Sequence, residues 1–456
     1  MLESAKQVGT AAAGAAQSAV GSQAEHLVLQ LLYQLIVILV LTRVVSWASK
    51  RYLGQTDVAG EILAGLVLGP SLLGALFPNV FAALFVPQTS TIFVGLAQTG
   101  LILLMFQIGL EFEFKSNLSA ARHTVVVISI AGIVCPFLLG YLTAPWFWEQ
   151  MSGQRPDLLA FRLFFATAMS ITAIPILGRI FMELGLSHTR TAALTIGSAA
   201  IDDILGWLLL GVVSAIVTSS FQPGNFAWRL GGLAAYIALV FLVLRPLIHK
   251  SLNRHTDKNG VLNPVALPLL LVLLFVSAAV TSNLGVFAII GGFVIGVALH
   301  DNRQFVQQWK DKMGGLVNAL FLPIFFAYTG LRTDVGSLGD SNAWLQCLLV
   351  CAVAFAGKFG GAYLAARALG ESHRSSMAIG VCMNTRALME LIALNIGYDM
   401  GVLPRQMFTM LVIMAIVSTF IATPLIRWLM RSESRLTAPQ PAEAGLAERP
   451  QPAAGV

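Results

Sequence analysis

Apolar runs of about twenty residues follow one another along nearly the whole chain, at roughly 27–49, 57–77, 91–112, 123–147, 159–184, 191–218, 228–249, 263–284, 286–300, 314–334, 343–367, 375–398 and 407–430. Wound as a helix, a run of that length matches the hydrocarbon thickness of a bilayer. In lipid every backbone N–H and C=O must be satisfied within the structure, which leaves helices and closed barrels as the spanning forms. The expected fold class is therefore an all-α polytopic membrane protein of about 13 transmembrane helices. Composition agrees: 57% of the residues are hydrophobic and 11% charged, against about 25% charged in soluble domains.

The ends differ from this pattern. Residues 1–26 are rich in Ala, Gly and Ser, carry Lys6 and lack an apolar core, so they make a poor signal peptide and are expected to form a weakly structured N-terminal tail or a surface helix. Residues 431–456 are rich in Ala, Pro and Glu and are expected to be a disordered tail with no soluble domain after it.

The net charge of +6 is topological. Of the 28 Lys and Arg, 20 fall at the C-terminus or in connections after odd-numbered segments, among them Lys50, Arg51, Lys115, Lys310 and Arg374; six fall on the other side, at Lys6, Arg155, Arg162, Arg229, Arg332 and Arg405. The positive-inside bias then sets the C-terminus in the cytoplasm and the N-terminus outside, in a cell membrane such as a bacterial inner membrane. It gives no nucleic-acid patch. The four cysteines lie within apolar runs and read as small buried hydrophobes. The histidines are mostly at segment ends and read as interfacial, with pH sensing at His188 or His373 the alternative.

An internal repeat is visible. Ile62-Leu63-Ala64-Gly65-Leu66-Val67-Leu68-Gly69 in segment two is similar to Ile289-Ile290-Gly291-Gly292-Phe293-Val294-Ile295-Gly296 in segment nine. Phe106-Gln107-Ile108-Gly109-Leu110 in segment three is similar to Ala327-Tyr328-Thr329-Gly330-Leu331 in segment ten, each followed by an acid, Glu111 or Asp334. The offset is seven segments both times; being odd, it makes the copies antiparallel, as in transporters whose inverted halves meet at a midplane site. The same register pairs segment five with twelve. Segment five carries Ile171-Thr172-Ala173-Ile174-Pro175, and segment twelve is polar at its centre, Asn384-Thr385-Arg386. Proline removes a backbone donor and disfavours helix before it, so both are expected to be discontinuous helices lining a polar cavity.

Charges inside the membrane single out the site. An ionisable residue at that depth costs roughly 2.5–3.5 kcal/mol on insertion scales and is functional by default. Asp202 and Asp203 stand side by side in segment six, Lys358 is central in segment eleven, and Arg386 and Glu390 share a face of segment twelve. Neighbours on a helix point about 100° apart, so the two aspartates need different roles. Ionising both is opposed by mutual repulsion. The expectation is an ion pair of Lys358 with Asp202 that couples to protons, and Asp203 as principal ligand of a monovalent cation. Arg386 and Glu390 are expected to balance charge structurally. Glu61 and Glu111, near segment ends, read as interfacial. Neither a channel nor an intramembrane aspartyl protease fits as well: no filter-like motif is present, and a proton-sharing dyad needs carboxylates that face each other.

Several stretches together resemble the monovalent cation:proton antiporter-2 family, which contains bacterial Na+/H+ and K+/H+ antiporters and plant cation/H+ exchangers. They are Gly60-Glu61-Ile62-Leu63-Ala64-Gly65 with Leu68-Gly69-Pro70-Ser71-Leu72-Leu73-Gly74, Phe106 to Glu111, Ile171 to Pro175, Ala200-Ile201-Asp202-Asp203, Phe325-Phe326 with Gly330-Leu331, and Asn384-Thr385-Arg386 leading to Glu390-Leu391-Ile392. The resemblance implies a sodium/proton antiporter-like fold and a homodimer, with a dimer domain at about 27–112 and 263–334, a core domain at about 123–218 and 343–430 moving like an elevator, and a linker helix at 228–249. It implies secondary active, electrogenic exchange of Na+ or K+ for protons in pH and cation homeostasis, without a cofactor and without enzymatic activity. Asp203 matches the invariant cation- and proton-carrying aspartate, Asp202 the position that is aspartate in electrogenic members, and Lys358 its lysine partner. Thr172 falls at the crossing of the unwound helices, where it supplies an oxygen to the ion. The Asp-Asp pair departs from the Gln-Asp of glutathione-gated potassium efflux members, and sodium versus potassium stays open.

Overall fold

The computed structural model describes residues 2–55, 57–110, 122–151, 155–172, 189–218, 223–254, 266–284, 287–386 and 388–430, with the single residues 177, 181 and 186, and the side chains of most of them from Glu25 onward. Glu111, the Pro175 end of the segment-five break, His188 and the expected tail at 431–456 lie outside the described residues. Every described element is helical. The first half runs through α1 (Leu2–Leu53), α2 (Asp57–Leu68), α3 (Pro78–Leu84), α4 (Pro87–Leu110), α5 (Arg122–Glu149), α6 (Leu158–Ser170) and α7 (Arg190–Thr218). A connecting element, α8 (Pro223–Leu239) followed by α9 (Arg245–Arg254), leads to the second half. This comprises α10 (Ala266–Asn283), α11 (Ala288–Leu299), α12 (Arg303–Trp309), α13 (Leu322–Arg332), α14 (Ser341–Ala368), α15 (His373–Met383), α16 (Leu388–Asp399) and α17 (Arg405–Leu429).

Helix falls in each of the thirteen windows, yet only seven described helices are long and apolar enough to cross a bilayer alone, eight if the pair bent by 44° around residues 314–317 counts as one. The other described apolar helices are shorter, 10 to 17 residues. Residues 2–26, expected as a tail or a surface helix, run straight into the first spanning helix, so α1 has 52 residues. Glu61, expected at the water interface, is instead buried, 6% exposed. It sits in α2 beside Gly60, which packs on the Ser46 backbone of α1.

The two copies of the repeat grip each other. Gly65 of α2 and Gly69 just after it face the carbonyls of Phe326 and Gly330 in α13, while Gly292 and Gly296 of α11 face those of Ile102 and Phe106 in α4. A Cβ at any of the four would run into main chain, so only glycine lets these helices approach so closely. Each copy's first motif thus packs on the other copy's second motif, the relation that an antiparallel pair of halves produces.

A second set of helices, α5, α6, α7, α14, α15 and α17, packs around the charged residues. Its helix ends are set by local chemistry. Asp157 caps α6 by accepting from Ala160 N–H at 2.9 Å, Asp340 caps α14 through Ala343 N–H at 3.0 Å, and Ser372 caps α15 through Ser375 N–H at 3.2 Å. Gly370, at φ +87°, makes the left-handed turn between α14 and α15. Large apolar side chains such as Leu142, Leu348 and Leu364 face outward, while the polar ones turn in. This arrangement suits lipid outside and a polar interior.

Candidate cation site

Two broken helices build the site. In segment five, α6 stops at Ser170, and Ile171 is extended, with φ −74° and ψ 138°. In segment twelve, α15 stops at Met383, and Asn384, Thr385 and Arg386 form the non-helical link before α16. A helix C-terminus leaves four carbonyls without intrahelical partners and a partial negative charge. At α6 two buried cations take up three of them. Arg386 donates from Nη1 to Ala168 O at 2.9 Å and from Nη2 to Met169 O at 2.7 Å, and Lys358 Nζ donates to Ser170 O. Unwound backbone from one repeat is thus held by charges of the other. This is how a break can persist at membrane depth.

Lys358, on α14, is fully buried. Its ammonium has three donors, and all three are used: besides Ser170 O, it donates to Gly132 O of α5 at 2.8 Å and to Asp202 Oδ2 at 2.8 Å. Gly132 lies directly against the pair: a Cβ there would be in ordinary contact with Asp202 Oδ2 at 3.7 Å and Lys358 Nζ at 4.0 Å. Asp202 accepts two more bonds, from Ser129 Oγ to Oδ1 at 2.6 Å and from Thr172 Oγ1 to Oδ2 at 2.8 Å. Thr172 also lies 3.3 Å from Met383 O, so it marks the point where the two breaks cross.

Asp203 is different. It is 1% exposed, and neither carboxylate oxygen has a hydrogen-bond partner among the described residues. A buried carboxylate with no partner costs several kcal/mol as an anion, so it must hold a proton or meet a cation. Arg386 Nη1 lies 3.4 Å from Glu390 Oε1, both side chains being fully buried, and Thr419 donates to the Arg386 carbonyl. These groups sit one layer away, on the frame of the break.

The structure therefore brings together Asp202, Lys358 and Thr172 by direct contact, sets Asp203 beside them on the next helical position, and holds Arg386 and Glu390 against the end of α6. His373 is remote, bonded to Tyr363 at 2.9 Å on an exposed surface. Among the partners missed from sequence are Ser129 and the Gly132 carbonyl, both on α5. A lone Ser in an apolar run carries no residue-level signal.

Comparison with known proteins agrees with this architecture. The chain is 37% identical to the Na(+)/H(+) antiporter NhaS4 of Synechocystis sp. over 401 residues, which is 87% of this chain and 96% of that protein. It is 33% identical to Cation/H(+) antiporter 17 of Arabidopsis thaliana over 91% of this chain and 50% of that one, and 32% identical to K(+)/H(+) antiporter 1 of Saccharomyces cerevisiae over 81% and 43%. The chain thus spans about half the length of its plant and yeast relatives. Among solved structures, the sodium proton antiporter MjNhaP1 from Methanocaldococcus jannaschii superposes with a TM-score of 0.64 at 18% identity, over 90% of this chain and 99% of that one, which speaks to the fold. Residues 34–432 match the family described as "Sodium/hydrogen exchanger, transmembrane", and with its inverted halves and crossed helix breaks the chain belongs to this family of monovalent cation:proton antiporters.

Proposed function

We propose that this protein exchanges a monovalent cation, Na+ or K+, for protons across a cell membrane, with Asp203 as the shared carrier of both. The observation that carries this reading is a buried carboxylate without a partner among the described residues, beside a twin that accepts three hydrogen bonds. Two loaded states remove the cost of burying Asp203: a proton on the carboxyl, or a metal cation against the carboxylate. The empty, ionised state keeps it. A core that moves only when Asp203 is loaded exchanges one cargo for the other and leaks neither.

Asp202 and Lys358 add the second element. A cation arriving at Asp203 repels the Lys358 ammonium and competes for Asp202, weakening their bond and promoting release of a proton. Protonation reverses this. With two carboxylates and one ammonium, the proton count exceeds the cation count and exchange is electrogenic. In the proposed motion, α5, α6, α7 and α14 to α17 form the core that rides against a dimer domain of α1, α2, α4, α10, α11 and α13, with α8 and α9 as linker. Support comes from the packing, in which each set is built mainly on itself. The N-terminus is assigned to the outside and the C-terminus to the cytoplasm on the charge bias, and a second copy completes a homodimer.

The test uses everted vesicles and a pH-sensitive dye. Replacing Asp203 by Asn should abolish cation-dependent dequenching, by more than about 100-fold if the carboxylate is the carrier, while leaving the protein monodisperse. Exchange at the wild-type rate would refute the assignment.

A further inference from the structure

The face of α7 that carries Asp203 carries a second unmet group. Trp207 stands one turn further on, 4% exposed, and its indole Nε1 has no hydrogen-bond partner among the described residues. Residues four apart share a helix face, and a helical side chain leans back over the preceding turn, the turn that carries Asp203. Its ring also meets Phe293 of α11, with centroids 5.9 Å apart. A buried tryptophan usually finds an acceptor for its N–H, and an unmet donor forfeits the free energy of desolvation.

Asp203 when ionised only accepts, and the indole nitrogen only donates. A bare metal cation would serve the carboxylate and repel the N–H. A cation that keeps one water serves both, because the water oxygen accepts from the indole with one lone pair and ligates the ion with the other. We propose that Trp207 is a positioning residue that holds one water in the shell of the bound ion, so that the cation docks on Asp203 partly hydrated. This deepens the exchange reading above and rests on it. Selectivity follows, because ions of high charge density bind their waters tightly and gain most from a site that spares one of them from removal.

The experiment uses the full chain reconstituted in liposomes, with Li+, Na+, K+ and Rb+ as probes. Trp207→Phe keeps an aromatic ring against Phe293 and removes the donor. Expected is a KM for Li+ and Na+ raised about fivefold, the size of one net hydrogen bond, with Rb+ within about twofold and kcat unchanged. Indole emission gives a readout independent of turnover: the difference between wild type and Trp207→Phe should shift on adding Na+, and should not shift in an Asp203→Asn background. Unchanged KM values, an equal shift for all four ions, or an emission difference blind to Na+ would overturn the proposal and leave Trp207 as packing. Failure of the wild type to exchange any of the four ions would instead sink the parent reading.

Discussion

Asp202 and Asp203 share a helical turn, a side-chain chemistry and a burial of 99%, and differ in every contact. Asp202 accepts from Lys358, Thr172 and Ser129, drawing on three helices or helix ends, whereas Asp203 has no partner among the described residues. The difference follows from the 100° rotation between successive residues. It turns Asp202 toward α5, α14 and the crossing of the breaks, and Asp203 toward the face that carries Trp207 and meets α11. One position holds the core together. Its neighbour is kept unmet, a stability cost that proteins tolerate where a ligand must bind.

The sharpest way to break this comparison is the same substitution at both positions. Asp203→Asn is expected to eliminate exchange yet raise thermal stability or leave it level, since an amide is far cheaper to bury than an unpartnered carboxylate. Asp202→Asn is expected to retain measurable exchange and to lose about 3–5 kcal/mol, because it strands the Lys358 ammonium. Melting in detergent and dye dequenching on the two variants check the crossed pattern. Loss of stability at Asp203, or none at Asp202, would erase the proposed division of roles.

A double replacement sharpens the pair further. Asp202→Asn with Lys358→Met removes both charges at once, and most of the stability lost in either single change should return, within about 1 kcal/mol of wild type, because a buried ion pair contributes little net beyond its own desolvation. Exchange by this variant should no longer respond to an imposed membrane potential, whereas the wild-type rate should. A potential-dependent rate in the double variant would remove Asp202 and Lys358 from the proton count.

Much of this was legible in the chain. The cost of charge in lipid singled out Asp202, Asp203, Lys358, Arg386 and Glu390 before any coordinates, and the odd offset between the two glycine motifs gave the antiparallel halves. The glycines then proved to be the contact points between those halves. What was not legible is whatever depends on which carbonyl a cation reaches. Arg386 was expected to pair with Glu390, and it does at 3.4 Å. Its shorter bonds, though, go to Ala168 and Met169 at the end of α6, a partner more than 200 positions away that no local pattern announces. Glu61 misled for a related reason: proximity to a segment end suggests water, but α1 lies over it.

Arg386 supplies a prediction of intermediate size. Lysine at this position keeps the charge but not the planar fork that reaches two carbonyls at once, so Arg386→Lys is expected to lose about 2 kcal/mol, one charge-assisted bond. The apparent KM for the cation should hold within about twofold, because the damage falls on the frame of the break rather than on the ion. A large KM change with unchanged melting would move Arg386 into the ion's own shell.

Ser129 gives the smallest effect and the finest test of how completely Asp202 must be satisfied. Its hydroxyl lies 2.6 Å from Oδ1, while Thr172 and Lys358 both bond to Oδ2, so Ser129 is the partner holding the other oxygen. Ser129→Ala leaves that oxygen buried and bare. The expected loss is about 1–2 kcal/mol of stability, toward the upper end for a bond to a charged acceptor, with the exchange rate within about threefold of wild type. If one bare oxygen makes Asp202 resemble its neighbour, the variant should also bind cation less selectively between the two carboxylates, seen as a lowered Hill slope in the cation titration of reconstituted protein. An unaltered slope together with the stability loss would mean that the Lys358 bond alone keeps Asp202 the weaker of the two cation ligands.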